Sequence, residues 1–400
     1  MARILFVVSQ NLNNELIAGH FLSTLSLACR LRQRGHNIGL AASLDFSLPE
    51  LQGADIQLYQ VPYPAFIGRP VALNKLVRNQ QYDVIVSMDV GAAWHAALAA
   101  IAAGTPIIQI IAGGPVPRFP IIHLPGIIVF SQELYDGIPL VQGIPQDYLV
   151  LSAGRIDFSY FENVVIVNGY RDFGFTKNIS SVLLVSRMHF GKHEAIQALF
   201  EQIKEVARLR EIQLVVVGEG DARSILEAQA AQIVEQSKGR ARIIFMGGFR
   251  ITPSDLRQAD LVIGQGRTVV EALASGVPAG VCGSSGYFGL LTPTSLPILV
   301  KTNLTGRGIQ NQATLLEDLE RLDFHKAHEF DEVHRMAFDI YDVSHGARTI
   351  ELIVESIFEE PSSFSTRCMK NMLGYIKTGT RVITWGFDKI YRELIISRRQ

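Results

Sequence analysis

The sequence is short of the residues that build special-purpose scaffolds. Its three cysteines, Cys29, Cys282 and Cys368, lie far apart with no CxxC pair. That excludes a disulfide framework and a cysteine zinc site, and it fits a reducing compartment. Neither charge sign is in excess, with 37 Lys+Arg against 38 Asp+Glu. With no aromatic–basic platform either, nucleic acid is not an expected partner. No D-x-D pair is present to hold Mg²⁺ or Mn²⁺. A long unbroken apolar run is also missing. The richest stretch, Val90 to Ala112, is divided by Gly104-Thr105-Pro106 into an alanine-rich helix pattern and the strand run "PIIQII", which reads as buried helix and strand rather than membrane span. Ile4 to Val8 is too short for a secretory core and Ser9-Gln10-Asn11 follows at once, so a cytoplasmic location is expected.

What is present is an α/β pattern of ample size. At 400 residues and 48% hydrophobic content, two domains are expected. "RILFVVS" leads to the helical pattern "LSTLSLACRLRQRGH", stopped by Gly35, and "NIGLAAS", "IQLYQVP", "YDVIVSM", "PIIQII" and "GIIVFS" follow as short apolar runs. A second series restarts at "SVLLVS" and continues through "IQLVVVG", "ARIIFMG", "ADLVIG" and "VPAGVCG". Short apolar strands separated by helices imply mostly parallel sheets buried on both faces. The expected fold is two Rossmann-like doubly wound domains facing across a cleft, residues 1–170 and 171–360 with the boundary near 165 to 180, followed by an extension over 361–400.

The second series carries the residue types that a nucleotide requires. Arg187 and Lys192 stand on the loop after its first strand, five positions apart, spaced either to meet a diphosphate or to serve as solvated surface charges. Gly218, Glu219 and Gly220 follow a strand and precede a helix; this is a weak phosphate or sugar loop, with helix capping by Asp221 as the plain alternative. In "GQGRTVVEALASGVPAG", Gly264 and Gly266 would let backbone amides approach a ligand, Arg267 follows, and Thr268 could cap the next helix. Glu271 would then accept from ribose hydroxyls, or bond back to Thr268 in a capping box.

These segments, taken in order, resemble a family. "AGHFLSTLSLACRLRQRGHNI", "LSAGRIDFSYF" with Asp157 and Phe161, "VSRMHFGKH", "VVVGEGDAR" and "EALASGVPA" are similar to the GT-B glycosyltransferases of group 1 (family 4), which include glycogen synthase-like and lipopolysaccharide glycosyltransferases. The turn at 264–276 is also similar to the peptidoglycan N-acetylglucosaminyl transferase group. The resemblance implies that Arg187 and Lys192 bind the donor diphosphate and Glu271 the ribose, with Gly19 near the donor phosphate. It implies metal-free transfer from a nucleotide sugar to a glycan or lipid-linked acceptor. Departures are Ile263, where the family has a second glutamate, and Met88 and Ala112, where it has histidines.

For an inverting reaction Asp89 is the candidate general base, with N-capping of the next helix as its alternative, and His95 and His123 are backups. The final forty residues carry eight Lys and Arg against two acids, leaving the rest of the chain near −7. Met369, Met372, Leu373 and Ile376 share a helical face there, as do Phe387, Ile390, Tyr391 and Leu394, with Trp385 between them. This reads as a basic amphipathic helix for a membrane surface, or for packing on the protein itself. Two other readings stay open: a nucleotide-sugar epimerase of the same fold, and a scaffold or activator subunit that has lost catalysis.

Overall fold

The computed structural model describes residues 1–9, 19–43, 55–61, 68–163, 171–283, 286–309, 313–324, 327–359, 372–374 and 376–379. The chain forms two compact units, Met1–Arg155 with Val343–Gln400, and Ile156–Asp342.

Unit 1 runs β1 (Arg3–Val7), α1 (Gly19–Gln33), β2 (Asn37–Ala42), β3 (Gln57–Gln60), α2 (Gly68–Gln80), β4 (Val84–Ser87), α3 (Val90–Ala103), β5 (Ile107–Ile111), β6 (Ile127–Val129), α4 (Gln132–Gln142) and β7 (Leu149–Leu151). Its seven strands are ordered β3-β2-β1-β4-β5-β6-β7, all parallel. Both faces are covered, which is why the strands read as unbroken Ile/Val runs instead of alternating ones. Alanines 92, 93, 96, 97, 99 and 100 bury one side of α3, and small side chains let the helix lie close on the sheet. Gly104 ends it in the left-handed conformation at φ 69°, its amide closing on Ala100 and Ile101 carbonyls. The apolar stretch is thus a core helix and strand, and no helix among the described residues is long and apolar enough to cross a membrane.

Unit 2 runs α5 (Phe158–Asn163), β8 (Ser180–Val185), α6 (Phe190–Leu209), β9 (Ile212–Val217), α7 (Arg223–Gln236), β10 (Ala241–Gly247), α8 (Pro253–Leu256), β11 (Leu261–Gly264), α9 (Arg267–Ala274), β12 (Ala279–Gly283), β13 (Gly286–Leu290), α10 (Leu296–Val300), α11 (Leu315–Phe324) and α12 (Ala327–Tyr341). Its strand order is β10-β9-β8-β11-β12-β13, parallel except for β13, which pairs antiparallel with β12.

The chain divides at 155/156, not near 165 to 180. Ile156 already belongs to unit 2, where its amide donates to the Tyr341 carbonyl at 3.0 Å. Arg257 Nη2 bonds the Phe161 carbonyl and so holds α5 in that unit. After Asp342 the chain returns to unit 1 as α13 (Val343–Glu359), which lies on α1. There the Arg34 guanidinium grips Glu351 through Nε at 2.6 Å and Nη2 at 2.8 Å. This fork, helped by His36 and Arg348 and opposed by burial, holds the Glu351 carboxyl down at about 2.

Of the tail, Thr378 accepts from the His123 amide at 3.2 Å, and a Cβ on Gly374 would stand 2.3 Å from the His123 carbonyl oxygen. That side of the turn packs on unit 1, while Met372, Leu373 and Ile376 are exposed. Met369, Trp385 and the 387–394 face lie outside the described residues.

Candidate functional site

In unit 2, β8 has β9 on one side and β11 on the other, so the crossovers leave it in opposite directions. Such a switch point opens a crevice at the carboxyl ends of the strands, where doubly wound sheets take ligands. The loops reaching that edge are 186–189, 218–222 and 264–266, and they contain most of the residues singled out from the sequence.

Arg187 is exposed on the first loop and Lys192 is half-buried in the first turn of α6. The Lys192 ammonium is pushed down to about 8, first by burial and then by the charge of Arg187; the buried Cys282 thiol raises it and Arg307 lowers it further. Three cations therefore share one region, and no carboxylate is among the groups that set the charge of Lys192.

Gly218 and Gly220 are required by the protein itself. A Cβ at 218 would stand 1.9 Å from the Ser186 carbonyl oxygen, and one at 220 would stand 2.3 Å from the Met188 carbonyl. The two loops interlock: the Met188 amide donates to the Glu219 carbonyl at 2.9 Å, and the Ala222 amide to the Met188 carbonyl at 2.9 Å. The glycines thus fix the loop that carries Arg187. Glu219 is held by Arg223 and by the Gly248 amide at 3.2 Å. Asp221 does not cap its own helix; it accepts from the Phe190 amide at 3.1 Å and so caps α6.

Around α9 the structure departs from the expected cap by Thr268. The helix starts at Arg267, with Gly266 (φ 57°, ψ −118°) in the cap position and no side-chain cap. Thr268 packs its methyl against Gly264, where a Cβ would come within 2.9 Å of it. Glu271 does not form a capping box; its Oε1 accepts from Arg267 Nε at 2.6 Å. It is 8% exposed, one turn inside the helix that begins at the switch point.

Sequence reasoning missed the segment that closes this edge. The Gly266 amide donates to the Leu304 carbonyl at 3.1 Å, and Gln265 Nε2 to the Cys282 carbonyl at 2.6 Å. The signal for the first was the run Gly306-Arg307-Gly308, an arginine between two turn residues, which lay beyond the last apolar strand run.

In unit 1, Asp89 is the N-cap of α3. Its Oδ1 accepts from the Ala92 amide at 2.7 Å and from Ser9 Oγ, and its Oδ2 from the Ser9 amide at 2.8 Å. The Ala92 bond is the capping alternative, and the two Ser9 bonds engage both oxygens as well. His95, half-buried on α3, is pushed below the ordinary imidazole range by burial and then by Arg69, against the pull of Asp89. His123 is 5% exposed and is covered by the tail. Gly19 is the first residue of α1, and the loop preceding it lies outside the described residues. Met88 and Ile263 are fully buried core residues and Ala112 packs against the core.

Comparison with known proteins follows the same division. Residues 180–288 match the family described as Glycosyl transferases group 1. No curated protein sequence matches the chain. Among solved structures, a glycosyltransferase from Rickettsia africae is similar over 90% of this chain and 99% of its own, with TM-score 0.66 and 14% identity. Anabaena HepE in complex with UDP is similar over 88% of this chain and 100% of its own, with TM-score 0.62 and 17% identity. A putative UDP-N-acetylglucosamine 2-epimerase from Listeria monocytogenes is similar over 90% and 98%, with TM-score 0.58 and 16% identity. The chain has the GT-B fold of these structures, and residues 180–288 of its second unit match the group 1 glycosyl transferase family.

Proposed function

We propose that the protein transfers a sugar from a nucleoside-diphosphate sugar to a glycan or lipid-linked acceptor, and that unit 2 binds the donor. The observation that carries this reading is the gathering of Arg187 and Lys192 at the switch point, with Glu271 on the helix that leaves the neighbouring strand. Cations there would neutralise the charge that develops on the departing diphosphate, the task a metal performs in other transferases. Glu271 would accept from the ribose hydroxyls. HepE is described as bound to UDP, which supports a diphosphate ligand for the same fold.

The test is calorimetric titration of the full chain with UDP, ADP, GDP and CDP, followed by incubation of radiolabelled nucleotide sugars with membrane extract. Binding of one diphosphate and transfer of its sugar are expected; failure to bind any of them removes the assignment. Asp89, with one oxygen capping α3 and both accepting from Ser9, favours a second reading in which the protein binds donor but acts as a scaffold. Binding without transfer across the panel would support it. Sugar isomerisation would support an epimerase instead, although Ile263, buried in the core, offers no second carboxylate for that chemistry. The exposed Met372, Leu373 and Ile376 support docking of the basic tail on an anionic lipid surface, read by flotation with vesicles containing phosphatidylglycerol.

A further inference from the structure

The segment after α10 is built in an unusual way. Asn303 and Leu304 both have φ 55°, and Gly306 and Gly308 follow at φ 66° and 70°. Two consecutive non-glycine residues in the left-handed region cost on the order of 1–3 kcal/mol each, more for a branched side chain, and persist only where surroundings impose them. Here the surroundings are well defined. Leu304 is fully buried, its amide donates to the Leu299 carbonyl at 2.9 Å, and its carbonyl accepts from the Gly266 amide at 3.1 Å. One residue on, the Thr305 carbonyl oxygen lies so close to β12 that a Cβ on Gly283 would stand 2.1 Å from it. A Cβ on Gly306 would enter the Phe288 ring at 2.3 Å. The segment is therefore clamped to the carboxyl ends of β11 and β12, and the next side chain is Arg307.

Strain of this kind is most often kept where it places a functional group. Arg307 is placed near enough to Lys192 for its charge to act on the ammonium, as the charge of Arg187 also does. Among the described residues no salt bridge joins Arg187 or Lys192 to a carboxylate, so a third cation beside them adds like-charge repulsion that a bound anion would relieve. A guanidinium also presents a planar fork of donors suited to phosphate oxygens.

We propose that Arg307 is a third ligand for the diphosphate of the donor, held in position by the left-handed 303–308 segment. This rests on the donor-binding reading above and assigns to that site a residue from outside its two loops. Arg187, Lys192 and Arg307 then bracket the anion from separate stretches of chain, so the site prefers two phosphates to one.

The experiment measures, on the full chain, affinity for the nucleoside diphosphate that binds best, its monophosphate and its nucleoside, with inorganic pyrophosphate as competitor. Arg307→Ala is expected to weaken diphosphate binding at least tenfold, to change nucleoside binding by less than twofold, and to abolish competition by pyrophosphate. Arg307→Lys, which keeps the charge and stem, should recover part of the loss and guards against a folding defect in the alanine variant. Wild-type protein that binds a diphosphate, together with a folded Arg307→Ala that binds it within twofold, overturns the role of Arg307 alone. Wild-type protein that binds none overturns the donor site and this proposal together.

Discussion

Arg267 Nε stands 2.6 Å from Glu271 Oε1 one turn along α9, with the two side chains 12% and 10% exposed. The carboxylate proposed to meet the ribose is thus oriented by its own helix. Removing the guanidinium leaves a buried charge without its partner, a change that costs about 3 kcal/mol or more. Arg267→Ala should therefore lower the urea midpoint of unit 2 and weaken nucleoside binding several-fold, because the Glu271 rotamer is released. Glu271→Ala should weaken diphosphate binding at least tenfold. Unchanged titration curves for both variants would show that this pair only stabilises the helix.

Gly220 and Gly276 make a paired test of whether the Arg187 loop must be held from below. A Cβ at 220 meets the Met188 backbone at 2.3 Å, whereas one at 276 meets nothing within 4 Å and suffers only its left-handed φ of 76°. Gly220→Ala should cost roughly 2 kcal/mol and also weaken diphosphate binding, since the displaced atoms belong to the loop that carries Arg187. Gly276→Ala should cost about 1 kcal/mol and leave binding unchanged. Equal binding losses in the two variants would mean that stability alone governs the site.

These glycines also show what a sequence discloses and what it withholds. Apolar runs such as "SVLLVS" and "IQLVVVG" fix β8 and β9 because a strand buried on both faces admits little else. "GYFGL" escaped notice as β13 because an antiparallel edge interrupted by two glycines has neither the alternation nor the continuity that marks a strand. Gly218 and Gly220 were legible as close approaches, but the partner was not: the sequence cannot say whether a ligand or Ser186 fills the space. Asp221 was legible as a cap, yet it caps α6, more than thirty residues away in sequence. Arg307 showed only as an arginine between two glycines for a related reason, because the placement of its segment depends on contacts with Gly266 and Gly283 that no local pattern encodes.

Asp89 separates capping from catalysis. Asparagine caps a helix nearly as well as aspartate, since its one amide oxygen can accept from the Ala92 amide, but its NH2 group cannot accept from the Ser9 amide as Oδ2 does. Asp89→Asn should lose about 1 kcal/mol of stability and retain transfer activity within a few-fold, as expected for a cap. Asp89→Ala should lose about 2 kcal/mol. A fall in kcat of a hundredfold or more in the asparagine variant, with its melting temperature little changed, would restore the general-base role.

Lys192 makes donor binding depend on pH in a direction that its surroundings determine. Burial and two arginines bring its ammonium down to about 8 in the unliganded protein. A bound diphosphate adds negative charge beside it and raises that value, so above pH 8 binding must take up a proton. Diphosphate affinity should be flat between pH 6.5 and 7.5, then fall through pH 8 toward a limit of about tenfold per pH unit. Calorimetry in buffers of different ionisation enthalpy should register proton uptake at pH 8.5 and almost none at pH 7. Lys192→Arg, which stays charged throughout, should move the fall above pH 9, while Lys192→Ala should bind weakly at every pH without that break. A wild-type profile that stays level to pH 9 would mean that the anion does not reach Lys192, and the cation cluster would then have to be satisfied by something other than the donor.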